Sequence, residues 1–132
     1  VPSADLVRMP AISAFSDPES YYSTLAHELT HWTAHPTRLA RDLGAKRFGD
    51  KGYAVEELVA ELGAAFLCAD LELTAQPSPE HASYIAAWLN VLREDNRAIF
   101  TAAAHASRAA AFLHRLQITT AAREAGAILG LE

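Results

Sequence analysis

A single cysteine, Cys68, stands among the 132 residues. No internal disulfide framework is therefore possible, and the chain suits a reducing, cytoplasmic setting. No apolar run approaches the roughly 20 residues of a membrane span, so no membrane partner is expected. The opening residues VPSADLVRMP lack an initiating Met and lack a basic stretch followed by an apolar one. They carry no secretory signal, and the chain reads as a processed product or a domain cut from a longer protein. Positive charge is also scarce. Eleven Lys and Arg stand against 16 Asp and Glu, a net charge of −5, which makes the whole domain a poor electrostatic partner for nucleic acid. One local exception is TRLARDLGAKRFGDK, where Arg38, Arg41, Lys46, Arg47 and Lys51 outnumber Asp42 and Asp50. An isolated basic cluster of this kind is read as a solvated loop.

What is present is a globular balance of 51% hydrophobic and 20% charged residues. A single domain over residues 1–132 is expected. Its core spans about residues 5–117, with 118–132 as a C-terminal tail or short helix. The segment DLVRMP, residues 5–10, reads as a short edge strand ending at Pro10. SDPES is a helix start: Ser16 or Asp17 caps, Pro18 fits the first turn, and Glu19 complements the dipole. This helix is expected to end near His35, ahead of Pro36. Residues 37–52 read as a long loop with one helical turn at 37–42. Further helices are expected over about residues 54–73, 80–93 and 96–117. The fold class is thus mainly α (α+β), with short N-terminal β-structure.

The chemistry concentrates in LAHELTHW, residues 25–32. His27 and His31 are four apart, about 40° around and 6 Å along a helix. Two imidazoles on one face can converge on one zinc ion. Glu28 lies on the flank of that face, where it can reach a water on the metal without binding the metal. This is the HExxH pattern, with Glu as general base. The bland alternative is a solvated helix turn, but Leu25, Ala26, Leu29 and Trp32 would bury this one. His35 continues the series about 12 Å from His27, too far to share one ion on a straight helix. No HxxGxxH extension follows, which argues against the metzincin variant.

A third ligand is expected in YAVEELVAELGAAFL, residues 53–67. Glu57 and Glu61 share a helix face, and two stacked carboxylates on a buried face repel unless something binds them. Either Glu57 binds the metal and Glu61 accepts the N–H of a ligand histidine, or the two exchange roles. Glu56, turned away by one residue, reads as solvated. Cys68 lies about 16 Å along the axis from Glu57 and reads as a small buried hydrophobe. Tyr53, one turn before Glu57, either donates its O–H to a developing oxyanion or packs at the helix start. Trp32, Trp88 and Phe66 read as core, His81 and Tyr84 as surface and core, and His105 and His114 as structural.

The segments YxTLxHELxHW and YAxEELVAELGAAFL, far more specific than HExxH alone, closely resemble the C-terminal zincin-like metallopeptidase domain of ArdC-type antirestriction proteins. Those proteins belong to plasmids and other mobile elements, and related domains occur in polyvalent phage proteins. The resemblance runs from about Asp5 to Leu113. It implies a His, His and Glu metal set at His27, His31 and Glu57, with Glu28 in the catalytic position. The family commonly has HWTG where this chain has HWTA, with Ala34, a mild change in a helix. The family's N-terminal single-stranded-DNA-binding domain has no counterpart here, so DNA contact is expected mainly outside these residues. Two functions follow as expectations. One is a zinc peptidase of the gluzincin type acting on an unknown peptide or protein. The other is a non-catalytic, zinc-stabilised antirestriction or DNA-associated interaction module. Glu28 favours the first, since a purely structural site has no need of it. The acidic charge and the lack of an obvious substrate pocket favour the second.

Overall fold

Asp17 begins the first helix as the sequence predicts. Its carboxylate accepts the Ser20 N–H at 2.7 Å, Pro18 occupies the first turn, and Glu19 sits at the positive end of the dipole. Helix α1 spans Pro18–Trp32. The computed structural model describes residues 5–44, 51–74 and 81–129, with side chains described through residue 117 except at His81. Within it, α2 spans Lys51–Asp70, α3 His81–Glu94 and α4 Ala98–Leu129, after a 3-10 turn at Ile12–Ala14.

Three expectations need correction. No strand forms at residues 5–10 or elsewhere among the described residues. A lone strand without a ladder partner is not stable in water, and the described residues offer no second one. Helix α1 stops three residues early. The Thr33 hydroxyl donates to the Thr30 carbonyl at 2.6 Å. The chain then folds back, and the N–H groups of Leu39 and Arg41 reach the carbonyls of Thr33 and Ala34 at 3.0 and 3.1 Å. This hydrogen-bonded loop replaces the helical turn expected at 37–42, and Ala40 takes a φ of 49° to close it. Finally, α4 runs on to Leu129 as one helix, where a tail or separate short helix was expected. Ile118, Thr119 and Thr120 only weaken helix propensity, by fractions of a kcal/mol each, and Ala121 and Ala122 follow at once.

Helix α2 is the centre of the packing. Ala54, Leu58 and Val59 of α2 meet Tyr84 and Trp88 of α3 and Ala102 and Ala106 of α4. Ala64 and Leu67 meet Ala26 of α1 and Ala110 and Leu113 of α4. The alanine bias of α4 thus has a purpose. Ala102, Ala106 and Ala109 are fully buried, and their small side chains let α4 approach α2 closely. The buried Trp88 satisfies its indole by donating to the Ala54 carbonyl at 2.7 Å. α2 also approaches α1 closely. A Cβ at Gly63 would lie 2.5 Å from Thr30 Oγ1, so only glycine admits this helix crossing. Among the described residues no helix is long and apolar enough to cross a membrane.

Candidate metal centre

The Gly63–Thr30 contact lays α1 against α2 one turn from two histidines and two glutamates. His27 is buried, and Glu57 opposite it is 9% exposed. His27 Nε2 lies 3.2 Å from Glu57 Oε2, and His31 Nε2 lies 3.1 Å from Glu57 Oε1. The two Nε2 atoms are themselves 3.1 Å apart. One donor atom from each of His27, His31 and Glu57 falls within a mutual distance of 4.8 Å, so the three could hold one metal ion.

The donor set fits such an ion. Ligands about 2.0–2.1 Å from a tetrahedral metal stand about 3.3 Å from each other. The observed separations of 3.1 to 3.2 Å are nearly that. Without a cation, two imidazole nitrogens that face each other and share one carboxylate make a poor hydrogen-bond arrangement, because both cannot keep lone pairs inward at no cost. Two neutral nitrogens and one carboxylate oxygen suit a divalent metal.

Behind the donors lies a further layer of contacts. His31 Nδ1 faces Glu56 Oε1 at 3.2 Å. His27 Nδ1 lies 3.3 Å from Glu61 Oε1. That approach is within ion-pair distance but off the hydrogen-bond line, so the buried Nδ1 has no hydrogen bond. Glu56 is not solvated, contrary to expectation. Its side chain is 16% exposed, and it accepts Arg41 Nε on Oε2 and Arg41 Nη2 on Oε1, each at 2.7 Å. The basic segment likewise departs from the solvated loop it was expected to be. The Arg41 side chain is 1% exposed, and Arg38 stacks its guanidinium 3.7 Å over the Trp32 ring. Lys46, Arg47 and Asp50 lie outside the described residues. Sequence reasoning missed Glu56 and Arg41, although a signal existed. Two histidines that share one ion call for two outer acceptors, and Glu61 supplies one of them.

Glu28 lines a cleft of about 810 Å³ together with His31, Tyr53, Glu56 and Glu57. Its size falls within the range of ligand sites. The cleft counters the expectation that no substrate pocket is present. Tyr53 both lines it and stacks on Tyr84, with ring centroids 6.0 Å apart. His35 also lines the cleft but turns its Nδ1 to the Thr37 hydroxyl at 2.8 Å, away from the donor trio. Tyr84 and Trp88 are buried, and Trp32 and Phe66 pack against the core. The His81 side chain lies outside the described residues. His105 contacts Arg108 at 2.9 Å and His114 contacts Asp70 at 2.9 Å, both away from the trio. Cys68 is buried, and burial pushes its thiol up.

Electrostatics follow from this crowding. Burial opposes charging of His27, but Glu57 and Glu61 overcome it and raise the imidazole to about 9. His31 is likewise opposed by burial and raised to about 9 by Glu56 and Glu57. Burial would lift Glu57, yet the two histidines bring it down to about 2. Glu56 is also lowered, with Arg41 outweighing burial. The carboxylates of the cluster thus favour positive charge on the two imidazoles.

Known proteins carry the same arrangement of helices. The chain superposes on the Mn(II)-bound crystal structure of the antirestriction protein ArdC from plasmid R388 with a TM-score of 0.76 and 46% identity, covering 87% of this chain and 42% of that one. The metal-free ArdC structure gives 0.74 and 45%, with 86% and 40% covered. In sequence, it is 48% identical over 116 residues to the uncharacterized protein y4eC of Sinorhizobium fredii, covering 88% of this chain and 38% of y4eC. It is 45% identical over 107 residues to DNA primase TraC of Escherichia coli, covering 81% of this chain and 10% of TraC. The chain therefore spans well under half of each of these relatives. Residues 1–105 match the family model described as a zincin-like metallopeptidase. With most of its length inside that match, this chain belongs to the zincin-like metallopeptidase family.

Proposed function

We propose that the chain is a zinc-dependent peptidase domain of the gluzincin type, which hydrolyses a peptide bond within an antirestriction protein. The carrying observation is the convergence of His27, His31 and Glu57, with Glu28 lining the same cleft as His31 and Glu57. His27 and His31 would hold the ion through Nε2 and Glu57 through a carboxylate oxygen. The metal of the ArdC relative is Mn(II). Zinc is preferred here because a set of two imidazoles and one carboxylate would match catalytic zinc sites better than the oxygen-rich sets of manganese. Bound zinc supplies a Lewis acid and lowers the pKa of water.

The chain's own groups would do the rest. Glu28 makes no hydrogen bond or ion pair among the described residues, so its carboxylate is available to take a proton from the attacking water. It then passes that proton to the leaving amine. Tyr53, at the cleft wall, would donate its O–H toward the developing oxyanion. Glu61 would orient His27 from behind. The substrate class is a peptide or protein. DNA contact would fall to parts of the longer relatives beyond this chain.

The test is Glu28→Gln, which keeps the shape and removes the base. Zinc-loaded chain and variant are incubated with a denatured-protein mixture, and new termini are read by mass spectrometry. The proposal expects cleavage by the parent and none by Glu28→Gln, with zinc content and melting unchanged. Cleavage that persists in Glu28→Gln contradicts the base assignment. No cleavage by the parent, together with full antirestriction by a longer relative carrying the matching change, would leave the metal as scaffold for a binding module.

A further inference from the structure

We infer that Arg41 is a positioning residue for the metal centre: one buried guanidinium braces both ligand-bearing helices and, through Glu56, fixes the His31 ring. This rests on the metal-site reading above. Toward α1, Arg41 Nη2 donates to the Thr30 carbonyl at 2.9 Å and Nη1 to Thr33 Oγ1 at 3.1 Å. Thr30 is one residue from His31, and its carbonyl, in the last turn of α1, also accepts the Thr33 hydroxyl at 2.6 Å, so Arg41 joins the contacts that close the helix. Toward α2, Nε and Nη2 of the same group clasp both oxygens of Glu56 at 2.7 Å. Glu56 precedes Glu57 in the chain and holds His31 Nδ1 at 3.2 Å.

The chemistry gives each contact a consequence. A guanidinium that is 1% exposed is costly to bury, and only close partners make it tolerable. Four hydrogen bonds, to α1, its cap Thr33 and α2, occupy four of its five N–H donors. The planar fork ties Glu56 down by both oxygens, so this carboxylate is kept from turning to the donor trio and only Glu57 faces the two Nε2 atoms. With Nδ1–H donated to Glu56, His31 keeps its lone pair on Nε2, the atom directed at the trio. Lysine, a point charge with rotatable donors, has no planar fork to reproduce the bidentate clasp together with the two contacts to α1. His27 faces a different carboxylate, with its Nδ1 3.3 Å from Glu61 Oε1.

The experiment compares the parent chain, Arg41→Lys and the double variant Arg41→Met/Glu56→Gln. Zinc affinity is measured by competition with a chromophoric chelator. The imidazole tautomers of the zinc-loaded proteins are read by long-range 1H–15N NMR. The double variant leaves no lone buried carboxylate, so it decides the matter if Arg41→Lys fails to fold. The expected result is a loss of zinc affinity of about 10- to 100-fold in both variants, with the His31 ring resonances displaced and those of His27 retained. Affinity within twofold of the parent and an unchanged His31 tautomer in the double variant overturn the positioning role while leaving the metal site standing. Absence of zinc binding by the parent overturns both.

Discussion

His27, His31 and Glu57 set the pH behaviour of the domain at the scale of single residues. In the metal-free protein each folded histidine titrates near 9, above its ordinary 6.5. The stabilisation they give is complete below about 6.5 and is lost as pH rises through 9. Glu57 acts in the opposite sense. Lowered to about 2 from 4.5, its contribution is complete above 4.5 and is lost as pH falls through 2. Metal binding needs neutral imidazoles, so the same protons must leave when zinc enters. The melting temperature of the metal-free chain should therefore fall between pH 7 and 9.5. The increase produced by zinc should grow between pH 6 and 8, with protons released on binding. Differential scanning at several pH values, and calorimetry in two buffers of different ionisation enthalpy, check both. A zinc-induced shift that shrinks with rising pH counts against histidine ligation. These residues were legible because helical spacing alone places i and i+4 side by side. Glu56 was not. A one-residue offset turns a side chain by about 100°, which pointed it away from Glu57's face, and only the fold shows that Arg41 and His31 wait there.

Between elements, the α1–α2 crossing decides whether the donors meet. Gly63 packs against Thr30 there with no room for a Cβ. Gly63→Ala should push the helices apart and destabilise the fold by about 1–3 kcal/mol, with weaker zinc binding. Adding Thr30→Ala removes both Oγ1 and Cγ2, and should restore most of the loss. Denaturant melts of the single and double variants test this, and equal loss in both would show that the clash lies elsewhere. The Asp17 cap is a separate and smaller matter. Asp17→Ala should cost about 1 kcal/mol without changing zinc content. Local signals of this sort were readable: Asp17 and Pro18 marked the start of α1 correctly. The end of α1 was not readable, because Arg41 meets Thr33 and the Thr30 carbonyl only after the chain folds back. The strand at residues 5–10 failed for a related reason, since pairing needs a partner that local pattern cannot supply.

The whole molecule joins a helical frame centred on α2 to a metal-ready cluster at the α1–α2 face. Its mainly helical character and its family were legible in two motif segments, whereas the unbroken α4 and the Glu56–Arg41 pair behind His31 were not. The direct measurement is metal content by mass spectrometry on the purified, dialysed parent chain and on His27→Ala, Glu57→Ala and Glu61→Ala. The account predicts about one zinc per chain in the parent, retention with weakened affinity in Glu61→Ala, and loss in His27→Ala and Glu57→Ala. Full zinc retention by Glu57→Ala, or loss in Glu61→Ala with retention in Glu57→Ala, would contradict the assignment of His27, His31 and Glu57 as the metal's ligands.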